Sequence, residues 1–172
     1  MLISKELEYA INQQVGNEFG ASMQYISIAA YFDREDLEQL SAFFFRQADE
    51  ERMHAMKFAN YVLDAGGQLR IPAIPGPKYD FQSAQEAVQA ALDWELEVTR
   101  QINAIMDIAV QQKDYIAQNF LHWFVNEQLE EVSTMNTLLN VIRRAKDNLL
   151  FVEEYLVRRP DPHAAGAGAE AA

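Results

Sequence analysis

Glu51 and His54 stand three residues apart in a stretch with helical periodicity, so their side chains share one face. Gln128 and Glu131 repeat that spacing in another stretch, and Glu18 and Glu95 stand near the middle of two more. Carboxylates gathered inside a helical bundle need a compensating charge, because an unpaired buried ion has lost its hydration. A pair of metal ions supplies that charge. The chain has no cysteine, so the ligands on offer are oxygen and imidazole nitrogen, a set suited to iron, manganese or zinc. The lack of cysteine also excludes disulfides, thiol nucleophiles, iron–sulfur clusters and thiolate zinc sites.

Taken singly, each residue has a plainer explanation. A mid-helix glutamate is usually a solvated surface residue, and a Glu-x-x-His spacing arises often by chance. The run Glu127-Gln128-Leu129-Glu130-Glu131 reads equally well as an acidic solvent face. The conjunction carries the weight: acids at one common height on each of four helices, with one Glu-x-x-His among them.

Four long helices must bring these residues together. Apolar residues recur with a helical period in four stretches. The first is expected from about Ser4, its N-cap, to about Asp33, with Leu7, Ile11, Val15, Phe19, Met23, Ile26 and Ala30 apolar along it. The second is expected from about Leu37 to Ala65, broken by Gly66-Gly67. The third starts at Ser83, where Ser83-Ala84-Gln85-Glu86 reads as a capping box, and continues to about Gln112. The fourth follows Asp114 and reaches about Lys146. A short fifth helix fits Asn148 to Arg158, with Asp147 as N-cap and Pro160 beyond it.

The connections fix the topology. Those around Arg34–Asp36 and Lys113–Asp114 are short and force antiparallel neighbours. The connection from Gly66 to Gln82 is long and holds Pro72, Pro75 and Pro77. Extended, its roughly 17 residues reach ~55 Å, against ~42 Å for a 28-residue helix, enough to traverse the bundle. The expected fold is therefore an all-α four-helix bundle with one long crossover and a short fifth C-terminal helix.

The 172 residues suffice for one domain, expected over 1–159, with 160–172 as a disordered Ala/Gly-rich tail. That tail reads as inert rather than as a docking peptide for a partner, and His163 within it has no expected role. His122, beside Trp123 and Phe120, reads as structural. The net charge of −12 argues against nucleic acid and anionic membranes and draws in cations. No apolar run approaches the ~20 residues of a membrane span. The residues from Met1 to Glu6 lack the layout of a signal peptide, so a cytoplasmic location is expected.

Asn17-Glu18-Phe19, Glu50-Glu51-Arg52-Met53-His54-Ala55, Glu95 and Asn126-Glu127-Gln128-Leu129-Glu130-Glu131-Val132 resemble, in order and spacing, the motifs of non-haem bacterial ferritins. The resemblance extends from about residue 4 to 158. It implies a homo-oligomeric 24-subunit shell that oxidises ferrous iron with dioxygen or peroxide and stores it as a ferric mineral. Carried over, Glu18, Glu51 and His54 would hold a first iron. Glu51 would bridge to a second, held by Glu95 and Glu131 with Gln128 beside it. Glu50, Glu127 and Glu130 match a third iron site. Tyr25 resembles an outer tyrosine that donates an electron or hydrogen-bonds a ligand, and Trp123 is a further candidate electron donor.

Neighbouring families fit less well. Bacterioferritins carry a second Glu-x-x-His where this chain has Gln128-Leu129-Glu130-Glu131, and a haem-binding Met where it has Arg52. Met53 is rotated ~100° from that position, so no haem is expected. Rubrerythrins need cysteines. The DNA-protecting mini-ferritins lack a fifth helix. Two other classes stay open on the residues alone: a di-iron oxidase acting on an organic substrate, and a structural bundle without metal.

Overall fold

Each helix begins and ends where its terminal polar groups find partners. In a computed structural model, which describes residues 2–159, the helices are α1 (Lys5–Arg34), α2 (Glu38–Asp64), α3 (Ala84–Gln111), α4 (Tyr115–Ala145) and α5 (Leu149–Arg158). Ser4 Oγ accepts from Leu7 N (3.1 Å), and Asp114 Oδ1 accepts from Ala117 N (2.9 Å). α2 ends in a Schellman turn, with Gly66 at φ 76°, Gly66 N on Leu63 O and Gly67 N on Val62 O. The tight turns after α1 and α3 repeat this pattern with Asp36 and Lys113 at positive φ. The tail expected at 160–172 lies outside the described residues.

Two caps differ from expectation. Ser83 Oγ accepts from Glu86 N, as a capping box requires, but the Glu86 carboxylate returns to Gln82 N (2.6 Å), one residue earlier, and to Lys78. α5 is capped at Asn148 rather than Asp147, without a side-chain hydrogen bond. Its Glu153 instead serves α2: the carboxylate accepts from Gln39 N (2.7 Å) and Leu40 N (2.9 Å), where Leu37 offers no side-chain cap. A carboxylate there also meets the positive end of the α2 dipole.

The buried stripe of α1 departs from the one read in sequence. Ile26 and Ala30 are exposed, while Tyr25, Ile28, Ala29 and Phe32 are buried. Repeated steps of four residues overshoot the helical period by ~40° each. Leu7, Glu18, Tyr25 and Phe32 keep one meridian, and Ile26 stands ~100° away from it.

α1 packs along α2, α3 along α4, and α1 meets α3. Two apolar clusters fill the bundle. One holds Tyr25, Phe32, Phe44, Val88 and Met135, closed by Val152 of α5. The other holds Leu7, Val15, Phe58, Ile102 and Phe124. On every long helix the change of cluster falls at one level: after Val15 on α1, after Ala48 on α2, after Leu92 on α3 and after Phe124 on α4. The residues at that level are Glu18, Glu51, His54, Glu95, Gln128 and Glu131.

The crossover between α2 and α3 contains no helix or strand. It runs beside α1, tied by side chains. Asn12 Nδ2 donates to Gln68 O (2.9 Å) and Asn12 Oδ1 accepts from Arg70 N (2.8 Å). Gln24 makes the same two-point bond to Lys78 (2.8 and 2.9 Å), and Ser27 Oγ donates to Lys78 O (2.7 Å). A Cβ on Gly16 would lie 2.4 Å from Pro72 Cγ, so the close approach of the segment requires glycine there. Among the described residues no helix is long and apolar enough to cross a membrane.

Candidate metal centre

Four helices each bring an acid to the level between the apolar clusters. Glu18, Glu51, His54, Glu95, Gln128 and Glu131 are all buried there. Ligand atoms of Glu18, Glu51 and His54 lie within 4.8 Å of one another, and so do those of Glu51, Glu95 and Glu131. Glu51 belongs to both groups. A third group joins His54, Glu127 and Glu131 within the same 4.8 Å. Each pair of groups thus shares one ligand: Glu51, His54 or Glu131.

The helices set this up through spacing. Three residues separate Glu51 from His54, and Gln128 from Glu131, which keeps each pair on the inner face. His54 Nδ1 lies 3.2 Å from Glu51 Oε2. Trp123 and Phe124 meet the His54 ring edge-on, with centroids at 5.4 and 5.9 Å. Trp123 itself is partly exposed, with the Lys57 ammonium 4.3 Å from its ring centroid.

Outer hydrogen bonds hold the carboxylates unequally. Glu95 takes the Tyr25 hydroxyl and, at 3.0 Å, the Gln128 amide. Gln128 is fixed further by the Glu95 carbonyl and Thr99 Oγ1, both at 3.2 Å. Glu18 Oε1 accepts from Gln14 Nε2 at 2.8 Å. Glu18 Oε2 and both oxygens of Glu131 are buried without an amide or hydroxyl donor, and only the neighbouring Glu51 carboxyl, when protonated, can bond Glu18 besides Gln14. Buried polar atoms are ordinarily satisfied, and a carboxylate with no donor anywhere near it is costly.

The electrostatics tell the same story. Burial pushes the Glu18 carboxyl up to about 7, against the lowering effect of hydrogen bonds from Glu51 and Gln14. Burial, then the charges of Glu95, Glu18 and Glu131, drives Glu51 well above the ordinary range. Glu131 moves the same way, through burial and then Glu95, Glu50 and Glu127. Burial raises Glu95 while the Tyr25 and Gln128 hydrogen bonds oppose it. The Tyr25 phenol is raised by burial and by the charges of Glu95 and Glu51. A cluster that resists ionisation this strongly is one that a cation would relieve. Oxygen ligands with a single imidazole, two of the acids offering unpaired oxygens, fit a pair of first-row divalent ions.

The sequence-predicted residues do not all fall together. Glu18, Glu51, His54, Glu95, Gln128 and Glu131 converge, and Tyr25 reaches them through Glu95. Glu127, half-buried, joins His54 and Glu131. Glu50 is half-buried and takes the Gln47 amide, and Glu130 is exposed. His122 is exposed, not packed with Trp123 and Phe120, because it stands on the outer face of α4. Met53 is on the surface. Sequence reading missed Gln14 and Thr99. Each lies four residues from a ligand on its own helix, Glu18 and Glu95 respectively, and that spacing was a usable signal.

With this geometry in view, comparison with known proteins is specific. The Ferritin-like domain matches residues 8–145. A bacterial non-heme ferritin of Staphylococcus aureus is 41% identical over 155 residues, covering 89% of this chain and 93% of that one. Ferritin BfrB of Mycobacterium tuberculosis is 40% identical over 164 residues, covering 91% of each chain. The crystal structure of an open pore ferritin from the hyperthermophilic archaeon Archaeoglobus fulgidus superposes with a TM-score of 0.88 at 32% identity, covering 92% of this chain and 99% of that one.

Proposed function

The chain belongs to the ferritin family, and from that premise we propose that it oxidises ferrous iron at the carboxylate layer and stores the ferric product inside a 24-subunit shell of its own copies. Iron is here both substrate and cargo. The observation that carries the reading is the sharing of Glu51 between Glu18–Glu51–His54 and Glu51–Glu95–Glu131, the arrangement of a bridging ligand between two ions. Residues 1–159 would form the iron-handling unit, with 160–172 appended to it, and the shell would reside in the cytoplasm.

Two ferrous ions held side by side give electrons to one dioxygen as a pair, which avoids free superoxide. The residues of the chain do the rest. Glu18 and His54 hold one side, Glu95 and Glu131 the other. Gln128, its amide nitrogen held by Glu95 and Thr99, leaves its carbonyl oxygen as the end available to the second position. The apolar clusters above and below exclude bulk water. Carboxylates favour the ferric over the ferrous state, so the ligand set itself assists oxidation. One imidazole among many carboxylates makes an exchangeable site, suited to ions that move on. Glu127, in the group with His54 and Glu131, extends the ligand path outward and, with Glu50 and Glu130, would supply a third iron position.

The test is addition of ferrous iron in air to the metal-free protein, beside Glu51→Ala/His54→Ala, following ferric absorbance and then the size of the iron-bearing particle. The parent is expected to oxidise iron at least ~100-fold faster, beyond what loss of an outer partner costs, with iron eluting on a large assembly. Equal slow oxidation in both proteins overturns the reading.

A further inference from the structure

The Glu18 carboxylate is asymmetric. Its Oε1 is taken by Gln14 Nε2 at 2.8 Å, and its Oε2 is buried with no amide or hydroxyl donor. Gln14 is itself 1% exposed, so its amide cannot exchange this bond for water. The amide is also prevented from turning. Asn17 Nδ2 donates to Gln14 Oε1 (3.3 Å) and to Gln101 Oε1 across on α3 (3.0 Å), and Gln101 Nε2 donates to Glu97 Oε1 (3.1 Å). A line of amides therefore runs from the exposed face of α3 to one oxygen of one ligand. Because Gln14 Oε1 accepts from Asn17, its nitrogen end is the one presented to Glu18.

We propose that Gln14 is a positioning residue for the metal centre: it pins one oxygen of Glu18 so that the other alone binds the ion, making Glu18 a fixed monodentate ligand. This rests on the proposed iron-oxidising reading of the layer. Without the pin, Glu18 can rotate about its terminal bond and offer both oxygens, or turn away. Outer donors to metal ligands are worth about 10–100-fold in affinity. Glu131 provides the contrast, since neither of its oxygens has a donor, and its attachment to an ion is correspondingly unconstrained.

The experiment titrates the assembled, metal-free protein with Co(II) under nitrogen, reading the visible bands and the heat. Parent, Glu18→Ala, Gln14→Leu and Asn17→Ala are compared. Gln14→Leu is expected to weaken the Co(II) step that Glu18→Ala removes by about 10–100-fold, and to change the shape of its visible bands. Asn17→Ala, at a half-buried site, keeps Gln14 but frees its amide, and is expected to weaken the same step by less. If Gln14→Leu does not fold, Asn17→Ala decides alone. Unchanged affinity and bands in a folded Gln14→Leu, or in Asn17→Ala where that variant decides, overturn the proposal, even if the melting temperature moves. A parent with no Co(II) step sensitive to Glu18→Ala overturns the reading beneath it instead.

Discussion

The crossover and the carboxylate layer are opposites. The crossover has no repeating structure, yet α1 ties its backbone by matched bonds from Asn12, Gln24 and Ser27. The layer sits in the most regular parts of four helices, yet its side chains are left short of donors at Glu18 and Glu131. Irregular backbone is thus compatible with well-partnered polar groups at Gln68, Arg70 and Lys78, and regular backbone with a deficit of donors. A satisfied network contributes to folding; a deficient one leaves coordination capacity for something else.

The largest expected effect comes from filling the deficit. If each of two divalent ions is present at ~100 times its dissociation constant, linkage adds ~2.7 kcal/mol per ion, about 5 kcal/mol in all. Co(II) added under nitrogen should raise the melting temperature of the parent and leave that of Glu51→Ala/His54→Ala almost unmoved. Equal stabilisation of both would place the ions elsewhere and break the contrast.

Removal of metal should expose a dependence on pH. Glu18, raised from 4.5 to about 7, favours the folded state while protonated. Its contribution is complete below ~4.5 and is lost as pH rises through about 7, a loss on the order of 3 kcal/mol. Glu51, Glu95 and Glu131 are raised too and act in the same direction. The metal-free protein should therefore melt lower at pH 8 than at pH 5.5. Ion affinity should run the other way, because binding displaces those protons. Thermal melts across that interval check the first, and proton release on Co(II) addition checks the second. A flat melting profile would mean the layer ionises freely.

Relieving the deficit by mutation should have a smaller effect of the same sign. Glu131→Leu replaces a carboxylate with two unpartnered oxygens by an apolar side chain of similar size. Such replacements are neutral or stabilising by ~1–4 kcal/mol. The metal-free variant is expected to melt above the parent by an increment near ~2 kcal/mol and to lose the added stability from Co(II) in part. A lower melt would show that Glu131 already has a stabilising partner.

How much of this was legible in sequence follows from what each residue depends on. Glu51 and His54, or Gln128 and Glu131, declare themselves through spacing within one helix, and Ser4 and Ser83 through local capping. The long crossover was forced by its length and prolines. Glu153 as the cap of α2 was not readable, because the two are more than a hundred residues apart and only the packing of α5 joins them. The grouping of Glu127 with His54 is of the same kind. Ile26 was misplaced for a different reason, an accumulated error of helical phase.

The smallest effect belongs to the satisfied region. Asn12→Ala removes the acceptor of Arg70 N and the donor to Gln68 O. A backbone group stranded out of water costs ~1–3 kcal/mol. Gln68 and Arg70 are exposed, so water can take over part of both bonds, and the expected loss is near the lower limit, about 1 kcal/mol. The crossover does not touch the carboxylates through Asn12, so the Co(II) increment in melting temperature should be the same in Asn12→Ala as in the parent. That second readout separates the two regions. A reduced increment would mean that the crossover holds α1, and with it Glu18, in the position the ions require, and the two networks would then have to be treated as one.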